Sequence, residues 1–238
     1  MRKFFKRIFL ILLFAIAFAG SYFIHEGYEV YQEAITKCSV EQKAQEIKSE
    51  VENYTEISAV PKNYINAVIA VEDRRFYKHH GIDIVSIGRA IAVDIKSLSL
   101  KEGGSTITQQ LAKNVYFSQR RELTRKIAEM FMAKTIENSL SKDEILELYI
   151  NTCYFGNGYY CIADAANGYF DKEVKDMDLY DCSLLAGIPN APSVYAPTVN
   201  LDLALQRQKK VLKCMKTEKY ISEEQYNEVL KEEYSYGK

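Results

Sequence analysis

Tryptophan is absent from this 238-residue chain, and turn formers are scarce, with 11 glycines and 4 prolines. That scarcity argues against a turn-rich β architecture and for helices, so an all-α fold is expected. The three histidines, His25, His79 and His80, are too few for a zinc site built from protein ligands. Cys38, Cys153, Cys161, Cys182 and Cys214 form no C-x-x-C pair and no metal-ligand rhythm. Their odd number leaves at least one unpaired, and they read as small buried hydrophobes. No zinc-finger or RNP-type pattern occurs, and the net charge of −1 gives no footprint for nucleic acid. Internal repeats and low-complexity linkers are missing too.

What is present is the composition of a folded protein, 47% hydrophobic and 26% charged, with 18 tyrosines. The length fits one ordinary domain plus an appendage. Charge is unevenly spread. Arg2, Lys3, Lys6 and Arg7 precede Ile8–Ile24, 17 residues without a charge, at the short end for a membrane span. Basic residues on that flank place the N-terminus in the cytoplasm and the remainder outside. Ala17-Phe18-Ala19 resembles a signal-peptidase site, but the apolar stretch runs past it, which favours a retained anchor. The expected organisation is a basic tail at 1–7, an anchor at 8–24, a stalk or packing helix within 25–58, and a catalytic domain at 59–238. Ser39 with Gln42 is spaced as a capping box for a helix through about Val51.

Pro61 to Val71 reads as a helix whose apolar positions Ile65, Val68 and Ile69 are continued by Glu72. Burial and the helix C-terminal dipole both disfavour a negative charge at Glu72, as a general base working near neutral pH requires. The competing reading is a boundary carboxylate paired with Arg74 or Arg75. A second helix, about Arg121 to Ser139, is apolar on nearly every side around Glu129, which predicts a buried carboxylate with Arg125 four residues earlier to offset it. A structural ion pair would have the same signature.

Between the glutamates, Lys101 to Lys126 carries six basic residues against two acidic, a local +4. This is either a solvated face or a site for phosphate groups or an anionic membrane surface. Gly103-Gly104-Ser105-Thr106-Ile107-Thr108-Gln109-Gln110 opens a further helix leading to Lys113 and Asn114. It is either a capped helix start or a lining for a polyhydroxylated or phosphorylated ligand, and no Gly-Lys-Ser/Thr follows to make a P-loop. Val115-Tyr116-Phe117 suits equally a segment dipping into a membrane and ordinary packing. Ser141 with Glu144 and Ser222 with Gln225 mark two more capped helices. The second of these runs to about 234, and the remaining helices are expected at about 84–97, 162–170, 180–188 and 201–216.

Taken in order, Glu72-Asp73-x-x-Phe76-x-x-His79-x-Gly81, Gly103 to Gln110, Arg125-Lys126-x-x-Glu129, the block from Ile145 to Phe170 and Leu184 to Pro189 with Pro192 resemble the family 51 peptidoglycan glycosyltransferases. The resemblance spans roughly residues 60 to 215. Cys161 and Asp171 stand where that family commonly has glycine. The resemblance implies a lysozyme-like helical domain with a groove between two lobes. It also implies a bacterial inner-membrane, single-pass enzyme that polymerises lipid II, with no transpeptidase domain. Glu72 and Glu129 would be the catalytic carboxylates. Asp73, Phe76, His79, Ser105, Thr106, Gln109, Gln110, Lys113, Asn114, Arg125 and Lys126 would bind substrate. No tightly bound cofactor is implied; a divalent cation, Mg²⁺ or Mn²⁺, would be held by the substrate pyrophosphate. The implied partners are lipid II, the growing glycan, the bilayer and other cell-wall synthesis proteins. The rivals are a lysozyme-like hydrolase or lytic transglycosylase, and an inactive membrane-anchored scaffold.

Overall fold

The computed structural model describes residues 2–97, 103–117 and 122–234. Twelve α-helices are found there: α1 (Arg2–Lys37), α2 (Val40–Glu50), α3 (Lys62–Glu72), α4 (Ile84–Ser97), α5 (Ile107–Tyr116), α6 (Glu122–Ser139), α7 (Lys142–Ile150), α8 (Ile162–Phe170), α9 (Leu179–Leu185), α10 (Pro192–Tyr195), α11 (Leu201–Thr217) and α12 (Glu223–Val229). Among the described residues the only β pairing is an isolated bridge between His80 and Ile82. The all-α expectation therefore holds. Lys101, Glu102, Arg120 and Arg121 of the basic segment lie outside the described residues, as does the C-terminal Ser235 to Lys238.

Local chemistry sets the helix starts. Ser39 with Gln42, Ser141 with Glu144 and Ser222 with Gln225 form the capping boxes expected for α2, α7 and α12. Each satisfies two otherwise orphaned amides, worth about 1 kcal/mol per cap. Thr106 with Gln109 and Asp178 with Asp181 cap α5 and α9 in the same way. Two ends fall short of the expected limits. Helix α9 stops at Leu185, where Gly187 and Pro189 shape a 3₁₀ turn over Ile188–Asn190, and α12 stops at Val229. The two departures from the family pattern sit at opposite ends of α8. The thiol of Cys161 is its N-cap, and Asp171 ends it in the left-handed region at φ 53°, where glycine is ordinarily favoured.

The anchor and the segment after it are continuous. Helix α1 runs through Ile24 without a break to Lys37, and its Phe4–Lys37 portion is long and apolar enough to cross a membrane. From Gly27 onward it packs on α6. A Cβ at Gly27 would stand 2.5 Å from Ile127 Cγ2, so only glycine permits this approach. Tyr28 and Tyr31 then close on Phe131, with ring centroids 5.3 and 5.7 Å from it. Val40 and Ile47 of α2 are buried in the main core. Residues 25–58 are thus packed against the domain. The core joins α3, α9 and α11 to α5–α8 and is filled by Tyr64, Phe76, Tyr149, Phe155, Tyr169 and Phe170 in place of tryptophan.

Phe117 is also buried there, and the Tyr116 hydroxyl donates to the Ser39 carbonyl at 3.2 Å. Ordinary packing accounts for 115–117, and Phe117 is not available to enter a bilayer.

Candidate active site

Glu72 is the last residue of α3, at the point where the chain turns into Asp73. Both of its carboxylate oxygens are held. Arg207 Nη2 donates to Oε1 at 2.9 Å, and Gln110 Nε2 donates to Oε2 at 2.9 Å. Gln110 is steadied in turn by the Tyr149 hydroxyl, which donates to its Oε1 at 3.2 Å. The nearby arginines are engaged elsewhere, Arg74 with Glu218 at 3.6 Å and Arg75 with Asp83 at 3.1 Å. A local pairing with Arg74 or Arg75 is therefore replaced by a partner from α11. Arg207 is itself buried, donates through Nε to the Gly187 carbonyl at 3.3 Å, and lies over the Tyr195 ring at 5.7 Å.

Glu129 is 1% exposed, as the all-round apolar character of α6 predicted. Lys126 Nζ meets its Oε2 at 2.8 Å and also donates to the Ser105 hydroxyl at 2.6 Å. Arg125 Nε approaches Oε1 only to 3.5 Å and makes no hydrogen bond, so Glu129 Oε1 is a buried acceptor without a hydrogen-bond partner. A buried carboxylate oxygen left open in this way is suited to an incoming donor or cation.

Both glutamates line one cleft of about 440 Å³, with walls from α3, α5, α6 and α11 and from the Gly103–Thr106 loop. Its lining carries seven basic side chains against four acidic. Lys113 is exposed toward it and has no ion pair among the described residues. Asp83, opposite, is desolvated but accepts from the Ser86 hydroxyl and the Val85 amide and faces Arg75. Those interactions outweigh the burial and hold its carboxyl below the usual aspartate range.

The other expected ligands divide into two groups. Ser105, Gln110, Lys113, Arg125 and Lys126 line the cleft with side chains engaged at its surface. Asp73, Thr106 and Gln109 also line it, each with polar atoms committed to the fold. Asp73 Oδ2 accepts from the Ile107 amide at 3.1 Å and is 2.8 Å from His79 Nε2, while Thr106 donates to the Gly81 carbonyl at 2.7 Å and shares its capping box with Gln109. For Thr106 and Gln109 the expected capped helix start is observed, and both residues also line the cleft.

Phe76, His79 and Asn114 do not line the cleft. Phe76 is fully buried under Lys142, whose Nζ sits 4.4 Å from the ring centre. His79 lies below the cleft between Asp73 and Glu137, and Asn114 Nδ2 donates to the Thr152 carbonyl at 3.3 Å. Phe76 and His79 support the site from behind, whereas Asn114 is exposed. Sequence reasoning missed Arg207, Lys210 and Cys214, which α11 presents to the cleft at i, i+3 and i+7. Helical spacing of two cations was the only available signal, and it does not distinguish a site wall from a solvated face.

With this geometry in hand, the transglycosylase family matches residues 40–216. The chain is 48% identical over 183 residues to penicillin-binding protein 1A of Neisseria lactamica, covering 77% of this chain and 23% of that protein. It is 44% identical over 214 residues to penicillin-binding protein 1F of Bacillus subtilis (strain 168), covering 87% and 29%. A crystal structure of penicillin-binding protein 1A from Haemophilus influenzae aligns over 78% of this chain and 18% of that one, at 26% identity and TM-score 0.48. The chain thus spans about a quarter of the length of these curated relatives. It belongs to the transglycosylase family, the peptidoglycan glycosyltransferases whose ordered motifs it carries.

Proposed function

We propose that this chain polymerises lipid II by inverting glycosyl transfer at the extracytoplasmic face of the bacterial inner membrane. The observation that carries the reading is that Glu72 and Glu129, each held by its own cation, open onto one strongly basic cleft. The 4-hydroxyl of an incoming N-acetylglucosamine attacks the anomeric carbon of the α-linked donor. The carbon–oxygen bond to pyrophosphate breaks, a β-1,4 bond forms, and the hydroxyl proton passes to Glu72. A carboxylate oxygen has two lone pairs, so Glu72 can take that proton while keeping its bonds to Arg207 and Gln110. The leaving pyrophosphate needs charge neutralisation more than a strong acid, and Lys113, Arg125 and Lys126 supply cations on the Glu129 side.

The residues present also bear on the divalent cation. Among the described residues no cluster of three or more His, Cys, Asp or Glu side chains could hold a metal, whereas Glu129 Oε1 is one open oxygen. That fits a cation carried chiefly by pyrophosphate oxygens, with Glu129 as a single protein ligand. When bound, the cation would add to the neutralisation of pyrophosphate. Helix α1 supports the setting, because its contact with Ile127 lies within one helical turn of Arg125 and Lys126, close to where the apolar stretch ends. A hydrolase reading leaves the basic lining without a task.

The test is polymerisation of lipid II by the full chain and by Glu72→Gln, which keeps shape and removes the base. A loss of rate of roughly 100-fold or more is expected, in the range typical of general bases. A Glu72→Gln rate near that of the parent would refute the assignment.

A further inference from the structure

Beneath the cleft, several polar groups converge on a third carboxylate that the transfer step does not use. Glu137, in the last turn of α6, has a side chain only 2% exposed and does not line the cleft. Lys142 Nζ lies 2.7 Å from its Oε1 and 2.6 Å from its Oε2, which balances the charge. A buried ion pair is weak grounds for stability, since an apolar pair of similar volume often does as well. What Glu137 orders is therefore the more informative question.

Two arms lead from it to Glu72. In the first, the fully buried Thr108 hydroxyl donates to Glu137 Oε1 at 2.6 Å and so fixes α5 on α6. Two residues further along α5, Gln110 donates to Glu72 Oε2 at 2.9 Å. In the second, His79 Nδ1 stands 3.8 Å from the same Glu137 oxygen with no hydrogen-bond partner, while its Nε2 is 2.8 Å from Asp73 Oδ2. Asp73, next to Glu72, accepts from the Ile107 amide at 3.1 Å and ties the end of α3 to the first turn of α5. The loop between Asp73 and α4 lies directly on α6: at Gly81, with φ 80°, a Cβ would stand 2.9 Å from the Lys134 nitrogen. Both arms thus end on the junction of α3 with α5, where Gln110 sets the rotation of the Glu72 carboxylate. A misplacement of about 1 Å there is enough to cost about 100-fold in rate.

We propose that Glu137 is a positioning residue for Glu72, acting through Thr108 and His79 while contacting neither the cleft nor Glu72 itself. This rests on the transferase reading and adds a residue from outside the cleft to the machinery of the base.

The experiment measures kcat and KM for lipid II polymerisation by the full chain in detergent, with a melting temperature for every variant. Polymerisation by the parent and its loss in Glu72→Gln test the transferase reading separately. Glu137→Gln is expected to lower kcat about tenfold while KM stays within about twofold. Thr108→Val cuts one arm but leaves the Glu137 and Lys142 pair in place, so it serves if Glu137→Gln does not fold. Its kcat should fall about threefold or more, and Thr108→Ser, which keeps the hydroxyl, should restore it. In a Glu72→Gln background neither Glu137→Gln nor Thr108→Val is expected to slow the reaction further, because the base they position is gone. A further loss there as large as in the parent would assign both residues to the fold alone and overturn the proposal. So would a parental kcat in folded Glu137→Gln or Thr108→Val, a rise confined to KM, or a Thr108→Ser enzyme as slow as Thr108→Val.

Discussion

A carboxylate closing α3 with a guanidinium 2.9 Å from one oxygen and an amide 2.9 Å from the other has little freedom to turn. The Glu72 and Arg207 side chains are only 10% and 8% exposed, so removing one partner leaves a largely buried charge uncompensated. Arg207→Met is expected to cost on the order of 3 kcal/mol of stability and to lower polymerisation tenfold or more, while Arg207→Lys keeps the charge and recovers part of both. Thermal denaturation read beside lipid II turnover checks this; an Arg207→Met protein as stable and active as the parent would show the pair to be incidental. Legibility at this scale followed the range of the interaction. Glu129 could be read as buried because its own helix is apolar all round. Arg207 could not, because packing alone brings it to a residue 135 positions earlier. Thr106 and Gln109 had the spacing of a capping box in plain view, and the structure shows that box while also placing both residues in the cleft lining.

Among the elements, α7 is tied to the segment before α3 through Glu147, which accepts from the Tyr54 hydroxyl at 2.6 Å and the Ile57 amide at 2.9 Å and meets Lys48 at 2.9 Å. Burial pushes this carboxyl upward, but those bonds and the lysine outweigh it and hold it below its ordinary 4.5. A depressed folded value means that the contribution to stability is fully present above the unfolded value and is lost as pH falls through the folded one. Glu147→Gln is thus expected to cost about 1–3 kcal/mol at pH 7. The gap in melting temperature to the parent should narrow steadily below about pH 4.5; a gap independent of pH would refute the ionic account. Capping chemistry made most helix starts legible, since the signal lies within four residues. Helix ends were less so, and the apolar triplet 115–117 was ambiguous because exposure depends on what covers it.

For the whole molecule, the decisive contact is between the anchor helix and the wall of the cleft. Gly27→Leu forces a side chain into Ile127 and the Thr124 carbonyl, so α1 must lift from α6. The expected result is faster proteolysis at the Cys38–Ser39 break and a several-fold loss of lipid II turnover in proteoliposomes. Unchanged digestion would show that docking tolerates the change. The sequence identified the apolar stretch but not its fusion to the domain, because a charge-free run and a polar helix read as two objects until their shared axis is seen. That unbroken axis has a directional consequence. Turning α1 about its own length turns the cleft mouth through the same angle, so any neighbour that fixes the azimuth of α1 also sets the compass heading in which the cleft opens.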